Sequence, residues 1–448
     1  METAMQRADL ARSTFRKMSW RTLPLLMLAY LACYVDRANI SIASLKMNHA
    51  IGIGESVYGV AAGIFFLGYL LCEVPSSLAC HRYGPRLWIA RIMITWGLLS
   101  ALTAFVWNGP SFVTLRFLLG VAQAGFVPAA VLYVAQAFPD AYRGRVTGLF
   151  LMMVPISSVI SSPVSAWLVS LPPVAGLQGW QLMFLVEAVP SVVLGLVLLR
   201  YMNDRPAEAQ WLAPDERAYL QAEMHAENLG KREHNLMEAL LDKKVLALGM
   251  VNFGVLITHQ TVGLWLPQIM ASFGWPKAEV GWLMAGIYAL AALAMALWGR
   301  RSDKKRERKF HLLGALAVAC TGLVVSTVVP GTYAKMLALT VSLVCSFASM
   351  SVVLTIPTQI LKDRAAAGGV AMVMAIGSLS GFLGSSLVGA LREMTGSFTA
   401  PILMIAGFGC VACATLARLE IGRPGSAEVD TPPLQSLPNG PIATSHKE

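Results

Sequence analysis

The stretch WQLMFLVEAVPSVVLGLVLLRY, residues 180–201, decides the fold class because it is almost continuously apolar. It holds only two charged residues, Glu187 and Arg200, in 22 positions. About 20 helical residues cross the roughly 30 Å hydrocarbon core of a bilayer. A strand of a membrane barrel would instead alternate polar and apolar residues along its length. The stretch therefore predicts a transmembrane helix.

Comparable apolar blocks recur along the whole chain, which is 56% hydrophobic and only 13% charged. A soluble domain carries about 25% charged residues, so most of this surface faces something other than water. The pattern predicts an all-α membrane protein with twelve transmembrane helices. We place them at 22–44, 57–80, 86–107, 111–138, 143–170, 180–201, 244–273, 278–300, 308–331, 334–361, 364–391 and 397–420.

A long polar stretch, 202–243, divides these helices into six and six. Two six-helix bundles with a binding site between them are typical of secondary transporters. Acidic residues just after Ala213 and Pro214 indicate a short surface helix inside the linker. The predicted units are an N-terminal segment (1–21), a first bundle (22–201), the linker (202–243), a second bundle (244–420) and a disordered tail (421–448).

The basic residues indicate the orientation in the membrane. The net charge is +10, and most of the 35 Lys and Arg lie at the termini or near the even-numbered connections. Lys46, Lys277, Lys335 and Arg392 lie in the odd-numbered ones. This asymmetry predicts that both termini are cytoplasmic and that the chain lies in the inner membrane. The basic excess should contact anionic lipid, and it does not predict binding of nucleic acid.

Several other functions find no support in the residues. The N-terminal apolar block is too long for a cleaved signal peptide. All seven cysteines lie in apolar blocks, and the CxxC spacing of Cys410 and Cys413 is better explained by helix packing than by redox chemistry. No HExxH, GxSxG or phosphate-binding loop occurs, so we expect neither an enzyme nor a metal or other cofactor. Nothing requires more than a monomer.

Ionisable residues inside a bilayer are costly and are therefore candidates for function. Asp36 and Arg37 are adjacent in the first predicted helix, and Arg116 and Gln123 lie two turns apart on one face of the fourth. A buried carboxylate needs a cation or a proton, so we expect Asp36 to pair with Arg116. Arg37 is then free to bind an anion. The alternative is a static ion pair that only joins the two helices.

Three further ionisable residues lie in predicted helices. We interpret Glu73, next to Pro75, as a packing or gate residue and Glu187 as structural. His259 could titrate near physiological pH, but we expect it to be a hydrogen-bonded interior residue.

The chain resembles the anion:cation symporter family of the major facilitator superfamily, in its tartrate and hydroxyphenylacetate permease branch. The resemblance runs from about residue 20 to 420. It rests on YVDRANISIA (34–43), GYLLCEVPSSLACHRYGPRLWIARIMITWG (68–97), RFLLGVAQAGFVPAAVLYVAQAFP (116–139), GWQLMFLVEAVPSV (179–192), LWLPQI (264–269) and LWGRRSDKKRERKFH (297–311).

The resemblance implies roles for individual residues. Arg37 matches the residue that binds the substrate carboxylate, and Tyr69 matches a tyrosine that lines the site. Asp36 matches a protonation site that releases the arginine at position 116. Gln123 stands where family members carry a proton-binding glutamate, which puts a second proton site in doubt. We also count Trp265, in the LWLPQI motif, among the candidate site residues.

Other departures from the family bear on the substrate. Met374 and Ser378 stand where tartrate-like members have asparagines, and Val154 stands where sugar-acid members have a glutamine. Fewer amides leave fewer partners for substrate hydroxyls. We therefore predict a proton-coupled symporter for a small organic anion, specifically a monocarboxylate with an apolar or aromatic body.

Four alternatives stay open. They are a tartrate or sugar-acid symporter, an uncoupled anion facilitator, a drug/proton antiporter and a membrane sensor. VPISSVISSPVSAW (154–167) has serines where an antiporter of this class would have glycines, which argues against the antiporter. No signalling domain fits the linker or the tail, which argues against the sensor.

Overall fold

The computed structural model describes residues 2–138, 146, 148–150, 152–204, 209, 211–228, 242–277, 279–305, 307–353, 356 and 366–419. Within these residues, twelve helical spans are long and apolar enough to cross a membrane. The predicted all-α class is confirmed.

The first half holds α1 (Glu2–Ala50), α2 (Glu55–Tyr83), α3 (Pro85–Leu102, extended by a 3₁₀ turn over Thr103–Phe105), α4 (Gly109–Gln123), α5 (Phe126–Ala137), α6 (Met153–Ser170) and α7 (Gly179–Tyr201). The linker carries α8 (Pro214–Asn228). The second half holds α9 (Lys243–Leu256), a π-helical turn (Ile257–Thr261), α10 (Val262–Ser272), α11 (Val280–Lys305), α12 (Lys309–Val328), α13 (Thr332–Val353), α14 (Ala366–Thr395) and α15 (Thr399–Arg418).

The first helix starts earlier than the predicted 22–44. It runs without interruption from Glu2 to Ala50 and so includes most of the predicted N-terminal segment, 1–21. Its early turns pack against the linker helix, where Lys17 Nζ lies 2.8 Å from Glu216 Oε1 and Phe15 stacks edge-on against Tyr219. Propensity alone makes such a polar segment a marginal helix, so this tertiary contact stabilises it.

The linker helix begins where the sequence predicted it. Glu216 Oε2 accepts a hydrogen bond of 3.1 Å from the backbone N–H of Ala213, and Ser13 Oγ donates to Oε1 at 2.6 Å. Burial raises the pKa of Glu216, but the hydrogen bonds from Lys17, Ser13 and Ala213 outweigh that effect and lower it. The carboxylate therefore stays charged at neutral pH and ties the linker to the first half.

The fourth predicted helix, 111–138, is not continuous. It breaks after Gln123, and Gly125 adopts a left-handed conformation with φ of 82°. The Ser76 hydroxyl donates to Ala124 O at 2.7 Å, and a Cβ on Gly125 would lie 2.1 Å from that hydroxyl oxygen. Only glycine fits this conformation and this close approach of α2.

The other predicted helices agree with the structure to within several residues at their ends. Part of the fifth helix, the end of the tenth (354, 355 and 357–361) and the tail (421–448) lie outside the described residues. All seven cysteines are free, which agrees with the absence of a predicted disulfide framework.

The two halves pack closely at the end opposite the termini. A Cβ on Gly59 of α2 would lie 2.5 Å from Ser385 O of α14, and Glu393 Oε2 accepts a hydrogen bond of 2.7 Å from Ser56 N. Tyr58 of α2 stacks edge-on against Trp265 of α10 at 4.9 Å. Small residues allow such close contact between apolar helices. The molecule is therefore closed at the end of its odd-numbered connections.

Candidate functional site

A small cavity of about 90 Å³ lies between the two halves. Its lining residues from the first half are Tyr34, Arg37, Ala38, Ser41, Phe66, Val154 and Ser158, and those from the second half are His259, Gln260, Gly263, Leu264, Tyr288 and Phe347. Aromatic and aliphatic side chains predominate, and Arg37 is the charged residue among them.

Arg37 is held firmly on α1 yet keeps a free donor. Its Nε donates a 2.6 Å hydrogen bond to Gln123 Oε1. Its guanidinium carbon lies 4.9 Å from the ring centre of Tyr69, 5.3 Å from that of Tyr34 and 5.4 Å from that of Phe65, distances typical of cation–π contacts. The buried Nη2 has no hydrogen-bond partner. A buried unpaired donor is costly, and a ligand oxygen would satisfy it.

Gln123 orients Arg37 without neutralising it. The amide is fully buried at the end of α4, and its Nε2 donates to Cys33 O at 3.4 Å. A glutamate in the same place would form an ion pair with Arg37. Because glutamine carries no charge, the positive charge of Arg37 is left for a ligand.

Asp36 is buried beside this cavity, with 3% of its surface exposed. Its Oδ1 accepts a hydrogen bond from the Ser100 hydroxyl of α3, and its Oδ2 has no partner. The expected ion pair with Arg116 is not formed in this structure. A carboxylate held by a hydroxyl alone is a candidate for protonation, because a buried charge without a cation is costly.

Arg116 lies on α4, where it is 2% exposed and does not line the cavity. Its guanidinium carbon lies 5.0 Å from the ring centre of Phe65, and its Nε makes no hydrogen bond. The ring of Phe65 thus contacts the guanidiniums of both Arg37 and Arg116. Its electron-rich face can stabilise a cation.

The second half contributes a π-helical turn, a feature that often occurs at functional sites. His259 in this turn lines the cavity, with its ring centre 4.2 Å from that of Phe347. Its Nδ1 has no hydrogen-bond partner among the described residues. Its neighbour Gln260 also lines the cavity, and its Oε1 is unpartnered. Sequence reasoning missed Gln260, although the polar pair in ITHQTVGLW was a usable signal.

The remaining predicted site residues fall in different places. Val154 lines the cavity, whereas Tyr69 is buried behind Arg37. Contrary to expectation, Trp265, Met374 and Ser378 do not line it. Trp265 packs in the closed contact between the halves, and the Ser378 hydroxyl donates to Met374 O at 3.0 Å within α14.

The other acidic residues lie away from the cavity lining. Glu187 of α7 is buried and accepts a 2.6 Å hydrogen bond from the Ser165 hydroxyl, which fits the structural role predicted for it. Glu73 is partly buried in α2. Among the described residues, no group of three or more His, Cys, Asp or Glu side chains could hold a metal ion.

Comparison with known proteins identifies the family. The sequence model of the Major Facilitator Superfamily matches residues 26–261 and 248–444. The chain belongs to the major facilitator superfamily. It is therefore a multi-pass membrane protein and a transporter rather than an enzyme.

Relatives of known name agree with the tartrate-type branch of this superfamily. Two proteins of Agrobacterium vitis, each named "Putative tartrate transporter", are 44% and 42% identical over 404 and 425 residues. These matches cover 89% and 94% of this chain and 93% and 95% of the relatives. A crystal structure of a D-xylose–proton symporter shares the fold, with a TM-score of 0.73, 15% identity and coverage of 90% of this chain and 98% of that one.

Proposed function

We propose that this superfamily member is a proton-coupled symporter that imports a small organic anion by alternating access. The observation that carries the proposal is the free, buried Nη2 of Arg37 at a cavity between the two halves. Its chemistry fits a carboxylate, which forms paired hydrogen bonds with a guanidinium. On this proposal the protein lies in the inner membrane with both termini in the cytoplasm, and the closed end faces outward.

The cavity lining favours a monocarboxylate with an apolar or aromatic body. One guanidinium lines it, together with the rings of Tyr34, Phe66, Tyr288 and Phe347. Such a lining favours a ligand with an apolar body. Arg116, the second cation nearby, does not line the cavity and would not contact the same ligand in this conformation.

A tartrate-type hydroxy acid is the second candidate. The names of the two Agrobacterium relatives favour it, as do the polar groups of Ser41, Ser158 and Gln260 in the cavity. Gln260 could bind a substrate hydroxyl in place of the asparagines that the sequence lacks. An uncoupled facilitator is a further alternative, in which Asp36 is only structural.

Competition for uptake distinguishes the two substrate classes. Uptake of one labelled acid into proteoliposomes is measured in the presence of benzoate-like monocarboxylates, or of tartrate or galactonate, at equal concentration outside. We expect the aromatic monocarboxylates to compete at least about tenfold better, since an apolar body gains free energy in this cavity. Stronger competition by tartrate or galactonate would assign the protein to the second class.

Asp36 supports the coupling to protons. With Asp36 ionised, the set of Asp36, Arg37 and Arg116 carries one net positive charge, which suits one carboxylate. Protonation of Asp36 from the outside would increase the positive field that attracts the anion. The proton and the anion need not touch, because each only has to favour the same conformational change of the carrier. One titrating acid predicts one proton per monoanion and electroneutral transport.

Gln123→Glu should make anion binding depend on pH. The new carboxylate would pair with Arg37 Nε and compete with the substrate, lowering affinity about tenfold at pH 7.5. Affinity should recover as the pH falls and the glutamate becomes protonated. Substrate-dependent tryptophan fluorescence at several pH values measures this, with Gln123→Leu as the control that removes the hydrogen bond and adds no charge. The same pH profile in both variants would contradict the assigned role of Gln123.

A further inference from the structure

A second cavity of about 380 Å³ lies at the closed end of the molecule, between α1, α6 and α11. None of its lining residues contributes to the central cavity. Leu45 and Lys46 of α1 and Trp167 of α6 line it from the first half. Lys277, just before α11, and Trp282 of α11 line it from the second.

The cavity is positively charged on a side of the protein that has few basic residues. Lys46 and Lys277 are two of the four Lys and Arg that the sequence places in odd-numbered connections. Lys46 Nζ donates a 2.9 Å hydrogen bond to Val169 O near the end of α6. Lys277 is exposed and makes no hydrogen bond or ion pair with any described residue, including nearby Glu279. The ammonium group of Lys277 is thus available to an anion.

Exposed apolar side chains lie at the rim of the cavity and on the adjoining surface of α6. Trp167 and Trp282 are 61% and 72% exposed, and Ile160 and Val164 are exposed on the outer surface of α6. Exposed apolar residues on a membrane-spanning helix face lipid, and tryptophan is enriched at the level of the head groups. The cavity therefore combines basic groups inside with an opening toward the lipid.

We propose that this cavity binds the head group of an anionic phospholipid. The phosphate would lie between Lys46 and Lys277, and the acyl chains would pack against Trp167 and Trp282. A soluble anion could use the same two lysines, but it would leave the exposed apolar rim unused. The combination of the two surfaces favours a lipid.

Because the cavity lies between the two halves, a lipid bound there should influence the conformation of the protein. Lys46 belongs to the first half and Lys277 to the second, so one bound head group joins the halves where they are closed. A ligand that binds one conformation better shifts the population toward it. Anionic lipid should therefore stabilise this conformation. The effect of the lipid on conformation rests on the proposed alternating-access mechanism, whereas the binding of the lipid does not.

Native mass spectrometry of the full-length protein in detergent tests the proposal, with dioleoyl phosphatidylglycerol and dioleoyl phosphatidylcholine as probes. We expect one tightly bound copy of phosphatidylglycerol and weaker binding of phosphatidylcholine. Lys277→Gln should lower the affinity for phosphatidylglycerol about fivefold, the effect of one basic residue near a head group. Lys335→Gln, the same change at the same end but outside the cavity, should leave it unchanged.

Equal affinity for the two lipids, or equal losses in the two variants, would overturn the proposal. Displacement of phosphatidylglycerol by millimolar inorganic phosphate would also overturn it and assign the lysines to a soluble anion. Because the readout is lipid binding, these outcomes do not depend on which substrate is transported or on whether protons are coupled to it.

Discussion

Replacing Arg37 with alanine is expected to lower the affinity for the transported anion by about 100-fold or more. Removing one member of a buried, hydrogen-bonded charge pair commonly costs about 2–5 kcal/mol, and each 1.4 kcal/mol is a factor of ten in affinity. Arg37 supplies the free donor at the cavity, and the alanine variant also leaves Gln123 Oε1 without its donor. A 100-fold loss corresponds to about 2.8 kcal/mol, which lies within this range.

Arg37→Lys tests whether a positive charge alone is enough for anion binding or whether the shape of the guanidinium is also needed. Lysine keeps the positive charge but cannot donate both to Gln123 and, in a paired fashion, to a carboxylate. We expect an intermediate affinity, measured by substrate-dependent tryptophan fluorescence on protein checked by size-exclusion chromatography. Arg200→Ala is the matched control, because Arg200 is exposed at the end of α7 and lies outside the cavity. Wild-type affinity in Arg37→Ala would refute the carboxylate role of Arg37.

Replacing Asp36 with asparagine is expected to abolish accumulation driven by a proton gradient while sparing exchange of substrate across the membrane. Asparagine has nearly the same shape, and its carbonyl oxygen can still accept the hydrogen bond from Ser100. It cannot bind and release a proton. The variant should therefore resemble the permanently protonated carrier, which moves loaded with substrate in both directions.

Glu187→Gln is the matched control for this experiment. Glu187 is also a buried membrane carboxylate that accepts a hydrogen bond from a serine, but it lies on α7 and not next to Arg37 in the chain. Uptake driven by an inward proton gradient, and counterflow without a gradient, should both persist in Glu187→Gln. If instead Asp36→Asn accumulates substrate normally and Glu187→Gln does not, the proton site lies on α7.

The features that sequence reasoning found are those with a strong local signal. Asp36 and Arg37 are conspicuous because charges inside an apolar block are costly. The position of α8 followed from the acidic residues beside Pro214. Each of these signals lies within one helix and needs no knowledge of its neighbours.

The features that sequence reasoning missed depend on contacts between helices. The predicted partner of Asp36 was Arg116, but the choice between Arg116 and Ser100 depends on how α1, α3 and α4 pack. Met374 and Ser378 were placed by alignment with the family, although the surface of α14 that reaches the other half holds Gly381 and Ser385. Gln260 was overlooked although it follows His259, because the sequence does not show that the turn holding both residues is π-helical and faces the cavity.

The most direct test of proton-coupled anion import is solid-supported-membrane current on proteoliposomes with a pH dye inside, across a panel of aromatic, dicarboxylic and sugar acids. We predict that an aromatic monocarboxylate acidifies the vesicle interior with little steady movement of charge, and that Asp36→Asn loses this acidification. Substrate flux without any proton movement would contradict the account and make the protein a facilitator or an exchanger. A net inward positive current with a monoanion would contradict the single proton site.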